Sequence, residues 1–194
     1  MSDTSHPPSP AARRAELLDQ RGCVLWFTGL SGAGKTTLAR ALEGALLDAG
    51  RLPFVLDADL VRTGLNADLG YDTASRSENV RRLGELAKIL ADAGSIVLVA
   101  SIAPFAADRA RFRQRIGPAR FLEVHVATSL EVCQARDVKG LYARAASGEL
   151  KGMTGIDSPY EAPSSPDLAI DTATTELSAA LAQLLEAGSR VWTR

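Results

Sequence analysis

Short apolar runs alternate with longer amphipathic ones along this chain, a rhythm that predicts strands separated by helices. "CVLWFTG" (23–29) is apolar almost throughout and predicts a buried strand, and "KTTLARALEGALLDAG" (35–50) predicts a helix ended by Gly50. "LPFVLD" (52–57) predicts a second strand. In "SENVRRLGELAKILADAG" (77–94), Val80, Leu83, Leu86, Ala87 and Leu90 share one helical face, with Ser77 placed as cap and Gly94 as terminator. The pattern continues with strand "SIVLVASI" (95–102), helix 106–116, strand "RFLEVHVA" (120–127) and helix "SLEVCQARD" (129–137). Strand "DLAIDT" (167–172) and a closing helix over 175–187 complete it, and a short polar helix is expected over 11–20. Such alternation predicts an α/β fold with a parallel sheet covered on both faces.

A chain of 194 residues fits one domain. The opening "MSDTSHPPSP" lacks the basic start and apolar stretch of a signal peptide. Residues 1–12 are therefore expected to be a disordered tail and 13–194 a single domain. The longest apolar stretch, "SIVLVASIAPFAA", falls well short of the about 20 residues a membrane helix needs. Formal net charge is −1, so no global field draws the protein to nucleic acid or an anionic membrane. Cys23 and Cys133, the two cysteines, have no metal-ligand spacing and read as buried free thiols, which suits a cytoplasmic location.

The chemistry starts at "GLSGAGKTT", Gly29 to Thr37, which matches G-x-x-x-x-G-K-[ST] after an expected strand and at the start of an expected helix. Backbone N–H groups of residues 32 to 36 can wrap phosphates there, with Lys35 reaching the β- and γ-phosphates and Thr36 placed to ligate Mg²⁺. The third strand carries no terminal Asp, and no N-K-x-D motif occurs, which argues against a GTPase switch. The acids stand instead in "VLDADLVRTGLN" (55–66). If that segment is extended, Asp57 and Asp59 point to the same side, into the crevice at the carboxyl ends of the strands. Paired carboxylates there suit Mg²⁺–water contacts and deprotonation of a hydroxyl. The alternative is that Asp59 caps a short helix while Asp57 is solvated, and the two roles are compatible.

Arg62, Arg76, Arg81, Arg82 and Lys139 flank the same crevice, where a guanidinium could fork onto a phosphate or sulfate; for Arg81 and Arg82 a solvated face serves equally well. Arg109, Arg111, Arg113 and Arg115 read as surface, and His125 as a core histidine. The glycine-containing stretch 137–163 is either a lid over the site or an ordinary surface insertion.

Several separate blocks, "GLSGAGKTT", "LDADLVRTGLNADLGY", "SRSENVRR", "DVKGLY" and "KGMTGIDSPYEAP", together resemble the adenylyl-sulfate kinases, from about Val24 to Thr172. Those enzymes phosphorylate the 3′-hydroxyl of adenosine 5′-phosphosulfate (APS) with ATP. The resemblance implies a P-loop NTPase three-layer sandwich with a five-stranded parallel sheet and a lid at about 137–163, usually in a homodimer. It implies ATP and Mg²⁺ on Ser31, Gly32, Ala33, Gly34, Lys35, Thr36 and Thr37, with Arg136 near the adenine and Asp57 helping to order the metal and its waters. It implies an acceptor pocket of Asp59, Arg62, Tyr71, Arg76, Asn79, Ile102, Ala103, Lys139, Gly152 and Met153, with Asp59 as the preferred base.

The chain also departs from the family pattern. Ala58, Leu60 and Thr63 replace Gly, Asn and His, Val138 replaces Pro, and Met153 stands where a Phe commonly stacks on the acceptor's adenine. Ala103 occupies the place where, by the resemblance, many bacterial members carry a serine assigned as a phosphorylated intermediate. Without a hydroxyl that intermediate is excluded, and direct in-line transfer remains. The rival readings are a P-loop kinase for a different small hydroxylated acceptor, and a non-catalytic nucleotide-binding subunit.

Overall fold

The computed structural model describes residues 9–193. Among them, five strands form one sheet: β1 (Cys23–Thr28), β2 (Pro53–Asp57), β3 (Ile96–Ala100), β4 (Phe121–Val126) and β5 (Leu168–Ile170). All pairings are parallel, in the order β2-β3-β1-β4-β5. Eight α-helices accompany them: α1 (Pro10–Leu18), α2 (Lys35–Asp48), α3 (Ala58–Arg62), α4 (Thr73–Asp92), α5 (Ala106–Ile116), α6 (Leu130–Arg136), α7 (Leu141–Ala146) and α8 (Leu177–Trp192).

Side chains of a strand alternate between faces, so β1 feeds two cores. Cys23, Leu25 and Phe27 join Leu38, Leu42 and Leu46 of α2 and Ala180, Leu184 and Trp192 of α8 on one side. Val24 and Trp26 join Val80, Leu83 and Ala87 of α4 and Phe112 and Ile116 of α5 on the other. Trp26 stacks on Phe112 with ring centroids 5.6 Å apart. Gly84 permits that packing: a Cβ there would lie 1.7 Å from Cε1 of Phe112. Cys23 and Cys133 are free and buried, as their apolar surroundings suggest. Burial pushes the Cys23 thiol up to about 12.

Several boundaries differ from the sequence expectation for local reasons. Residues 1–8 of the expected tail lie outside the described residues, but 10–12 are helical: Ser9 caps α1 by accepting from the Ala12 N–H, with Pro10 at its first position. Asp72, not Ser77, caps α4, accepting from the Ser75 N–H at 3.0 Å, so the helix starts four residues before the expected Ser77. α8 runs to Trp192 because Ala187, Gly188, Val191 and Trp192 continue its buried stripe. No helix among the described residues is long and apolar enough to cross a membrane.

Candidate active site

Parallel strands put all their carboxyl ends at one edge, where the chain leaves β1 for β2 on one side and leaves β3 for β4 on the other side of β1. That reversal creates a crevice. The crevice is a cleft of about 1090 Å³ bordered by the loop after β1, the β2–α3 corner, the start of α4, the loop after β3, and segments between Arg136 and Leu177.

The loop after β1 is shaped as a phosphate cradle. Gly34, at φ 104°, opens α2 in the left-handed region, and a Cβ there would crowd the Thr172 side chain at 3.1 Å. Ser31, Gly32, Gly34, Lys35, Thr36 and Thr37 line the cleft. Ala33 does not. Its side chain is buried, its N–H donates to the Leu30 carbonyl at 3.2 Å, and its carbonyl accepts from the hydroxyls of Thr128 and Thr172. The Lys35 ammonium donates to the carbonyls of Gly29 (2.9 Å) and Leu30 (2.7 Å). Burial, and then the charge of Lys139, lower its pKa to about 8, against the opposing pull of Asp59 and Asp57.

The β2–α3 corner corrects the expectation of an extended acidic segment. The helix begins at Ala58, immediately after the strand, so Asp59 lies in a first helical turn. Asp57, not Asp59, is the cap: its Oδ1 accepts from the Asp59 N–H at 2.8 Å, while its Oδ2 accepts from the Thr36 hydroxyl at 2.8 Å. Both acids still line the cleft, and the Asp59 carboxylate pairs with the Lys139 ammonium.

Arg62 donates to the carbonyls of Leu69 and Gly70 and lies over the Tyr71 ring at 4.5 Å. Arg76, in the first turn of α4, approaches the same ring at 5.9 Å. Its guanidinium reaches across to the Gly152 carbonyl and to the Thr154 hydroxyl at 2.6 Å. Asn79, Ile102, Ala103, Lys139, Gly152 and Met153 complete the lining expected on the acceptor side. Arg81 and Arg82 do not reach the cleft; they pair with Glu78, and Arg82 also with Asp68.

The stretch 137–163 forms one wall of the cleft rather than a detached insertion. It contains α7, whose Tyr142 hydroxyl donates to the Ser31 carbonyl at 3.0 Å. Arg136, just before it, donates to the Gly32 carbonyl (3.2 Å) and to the Thr172 hydroxyl (2.8 Å) and carbonyl (2.9 Å).

Thr172, Tyr142 and Thr154 escaped sequence reasoning as site residues. Each carried a signal: Thr172 by its place at the end of the fifth strand on the ligand edge, Tyr142 and Thr154 by standing in the blocks "DVKGLY" and "KGMTGIDSPYEAP". Two surroundings also differ from expectation. His125 is half-buried beside Tyr160, ring centroids 6.2 Å apart, and burial lowers its pKa. Arg109 is not a surface residue: it is 3% exposed and pairs with Glu123 at 2.8 Å.

Donor chemistry in the cleft suits Mg²⁺. The Thr36 hydroxyl and Asp57 carboxylate are hard oxygen donors side by side at a phosphate cradle, where Mg²⁺ is held by few protein ligands with substrate phosphates and water.

A family model for adenylylsulphate kinase matches residues 21–171. The chain belongs to the adenylylsulphate kinase family. Within this family, the adenylyl-sulfate kinase of Shewanella denitrificans is 53% identical over 180 residues, covering 93% of this chain and 87% of that protein. The Mycobacterium tuberculosis APS kinase CysC, solved in complex with AMPPNP and APS, superimposes with a TM-score of 0.82 at 44% identity, covering 86% of this chain and 97% of that one. A hexameric APS kinase from Thiobacillus denitrificans matches with a TM-score of 0.64 at 35% identity, covering 90% of this chain and 30% of that chain. The family's five-stranded parallel sheet is the one observed here.

Proposed function

We propose that this protein transfers the γ-phosphoryl group of ATP to the 3′-hydroxyl of APS, giving 3′-phosphoadenosine 5′-phosphosulfate and ADP. The observation that carries this reading is the contact between Thr36 and Asp57, which joins the phosphate cradle to an acid- and arginine-bearing corner in one cleft. A protein that only binds a nucleotide has no need of the second half.

ATP lies on the loop from Ser31 to Thr37, with Arg136 at its adenine end and Lys35 swinging from the Gly29 and Leu30 carbonyls onto the phosphates. Thr36 and Asp57 would hold Mg²⁺, whose charge would neutralise that of the phosphates. Arg62, Tyr71, Arg76, Asn79, Ile102, Ala103, Lys139, Gly152 and Met153 bound the acceptor site. Asp59 takes the proton as the 3′-oxygen attacks phosphorus and the bond to ADP breaks. The local geometry favours Asp59 over Asp57 as base, because both oxygens of Asp57 are already committed, to Thr36 and to the Asp59 N–H. Lys35 stabilises the charge on the transferring group. With Ala103 in the loop after β3, no phosphoenzyme forms at that position and transfer is direct.

Buried free thiols suit a reducing compartment, so a cytoplasmic enzyme is the consistent assignment. A homodimer is the assembly we assign, to be checked by light scattering. Coupled measurement of ADP release tests the reaction. Release that depends on APS supports it. Release that depends instead on adenosine 5′-phosphate, gluconate or shikimate would point to another acceptor, a reading motivated by Leu60, Thr63 and Met153.

A further inference from the structure

The loop between β3 and α5 enters the acceptor side of the cleft with an unusual backbone. Ala103, 1% exposed, has φ 43°, in the left-handed region that an L side chain occupies only when its surroundings impose it. Its carbonyl accepts from Nη1 of Arg109 at 2.7 Å. The same guanidinium donates from Nη2 to the Glu161 carbonyl at 2.6 Å, and from Nε to the Glu123 carboxylate at 2.8 Å. One buried cation thus spans the acceptor loop and the last residues of the 137–163 wall, while an acid on β4 fixes its orientation.

Neighbouring contacts close the same junction. The Glu161 N–H donates to the Pro104 carbonyl at 2.8 Å, and the Glu161 carboxylate accepts from the Ala106 N–H at 2.7 Å. The Thr28 hydroxyl donates to the Ile102 carbonyl at 2.6 Å and lies 3.1 Å from the Tyr160 hydroxyl. Each of these bonds joins single groups, whereas the Arg109 guanidinium reaches two carbonyls and a carboxylate at once, as only a planar fork can.

We infer that Arg109 is a positioning residue for the acceptor: its fork imposes the left-handed conformation of Ala103 and ties that loop to the wall that closes over the acceptor. This inference rests on the kinase reading above. Arg109 does not line the cleft, so its removal acts through the loop on acceptor binding and leaves the phosphate cradle alone.

The test measures KM for ATP and for APS, with kcat, in the wild type and in Arg109→Lys, Ala103→Gly and the double variant. Lysine keeps the charge beside Glu123 but cannot span both carbonyls. Expected for Arg109→Lys is a roughly ten-fold rise in KM for APS with KM for ATP within about two-fold. Glycine adopts φ 43° without strain, so adding Ala103→Gly to Arg109→Lys recovers most of the lost APS affinity. Unchanged KM for APS in Arg109→Lys, equal rises in both KM values, or no recovery in the double variant would each overturn the inference. Should Arg109→Lys fail to fold, Glu123→Gln, which loosens the orientation of the fork, is read the same way: a selective rise in KM for APS supports the inference and an unchanged value sinks it. A wild type that releases no ADP with APS overturns the kinase reading and the inference with it, an outcome distinct from an active wild type with an indifferent Arg109→Lys.

Discussion

The Thr36 hydroxyl donates to the Asp57 carboxylate across 2.8 Å, joining the first turn of α2 to the last residue of β2, two segments 21 positions apart in sequence. The same carboxylate caps α3 through the Asp59 N–H. Asparagine caps a helix as well as aspartate does, so Asp57→Asn separates folding from catalysis. We expect thermal stability close to wild type, kcat lower by about 10²–10³-fold, and a higher Mg²⁺ concentration for half-maximal rate. Wild-type turnover with an unaltered Mg²⁺ requirement would remove Asp57 from the metal site.

Asp59→Asn deletes the proposed base at an exposed position whose carboxylate, among the described residues, partners only Lys139. Turnover should fall by more than about ten-fold with KM for ATP little changed, since proton transfer contributes about 10²–10⁴-fold. Retention of most activity would transfer the base role elsewhere.

Lys35 gives a pH signature. Its pKa, lowered by burial and then by Lys139 to about 8, means that the free enzyme loses this positive charge as pH rises through about 8. The protonated form is the one that meets phosphate, so kcat/KM for ATP should fall roughly ten-fold per unit on the alkaline side. Lys139→Ala removes one of the lowering influences, and the alkaline limb should move to higher pH. A limb that stays in place in Lys139→Ala would show that the two ammonium groups do not sense each other.

Gly84→Ala tests the packing behind the site. A Cβ there would overlap the Phe112 ring, which is itself stacked on Trp26 in the core beneath α4 and α5. Overpacking of this kind costs about 1–3 kcal/mol, visible as a lower urea midpoint, while kcat at room temperature should hold. An unchanged midpoint would mean that α4 and α5 separate at no cost.

Sequence alone determined the alternation of strands and helices, the phosphate loop, and the residue types able to serve an acceptor, because each is written in local periodicity or in a contiguous motif. Blocks such as "LDADLVRTGLNADLGY" also carried the family resemblance. Arrangement in space needed the tertiary structure. The backbone after Asp57 is helical, capped by Asp57 itself, whose other oxygen is held by Thr36 from across the cleft, so Asp59 faces the cleft from a first helical turn and not from an extended segment. Arg109 looked like its exposed neighbours in the 109–115 series, since a step of two along a helix says nothing about which member points inward. It is buried because Glu123 on β4, the Ala103 carbonyl and the Glu161 carbonyl converge on it from three separate parts of the chain. A buried charge is tolerated only where such partners meet, and their meeting is a property of the fold, not of any segment.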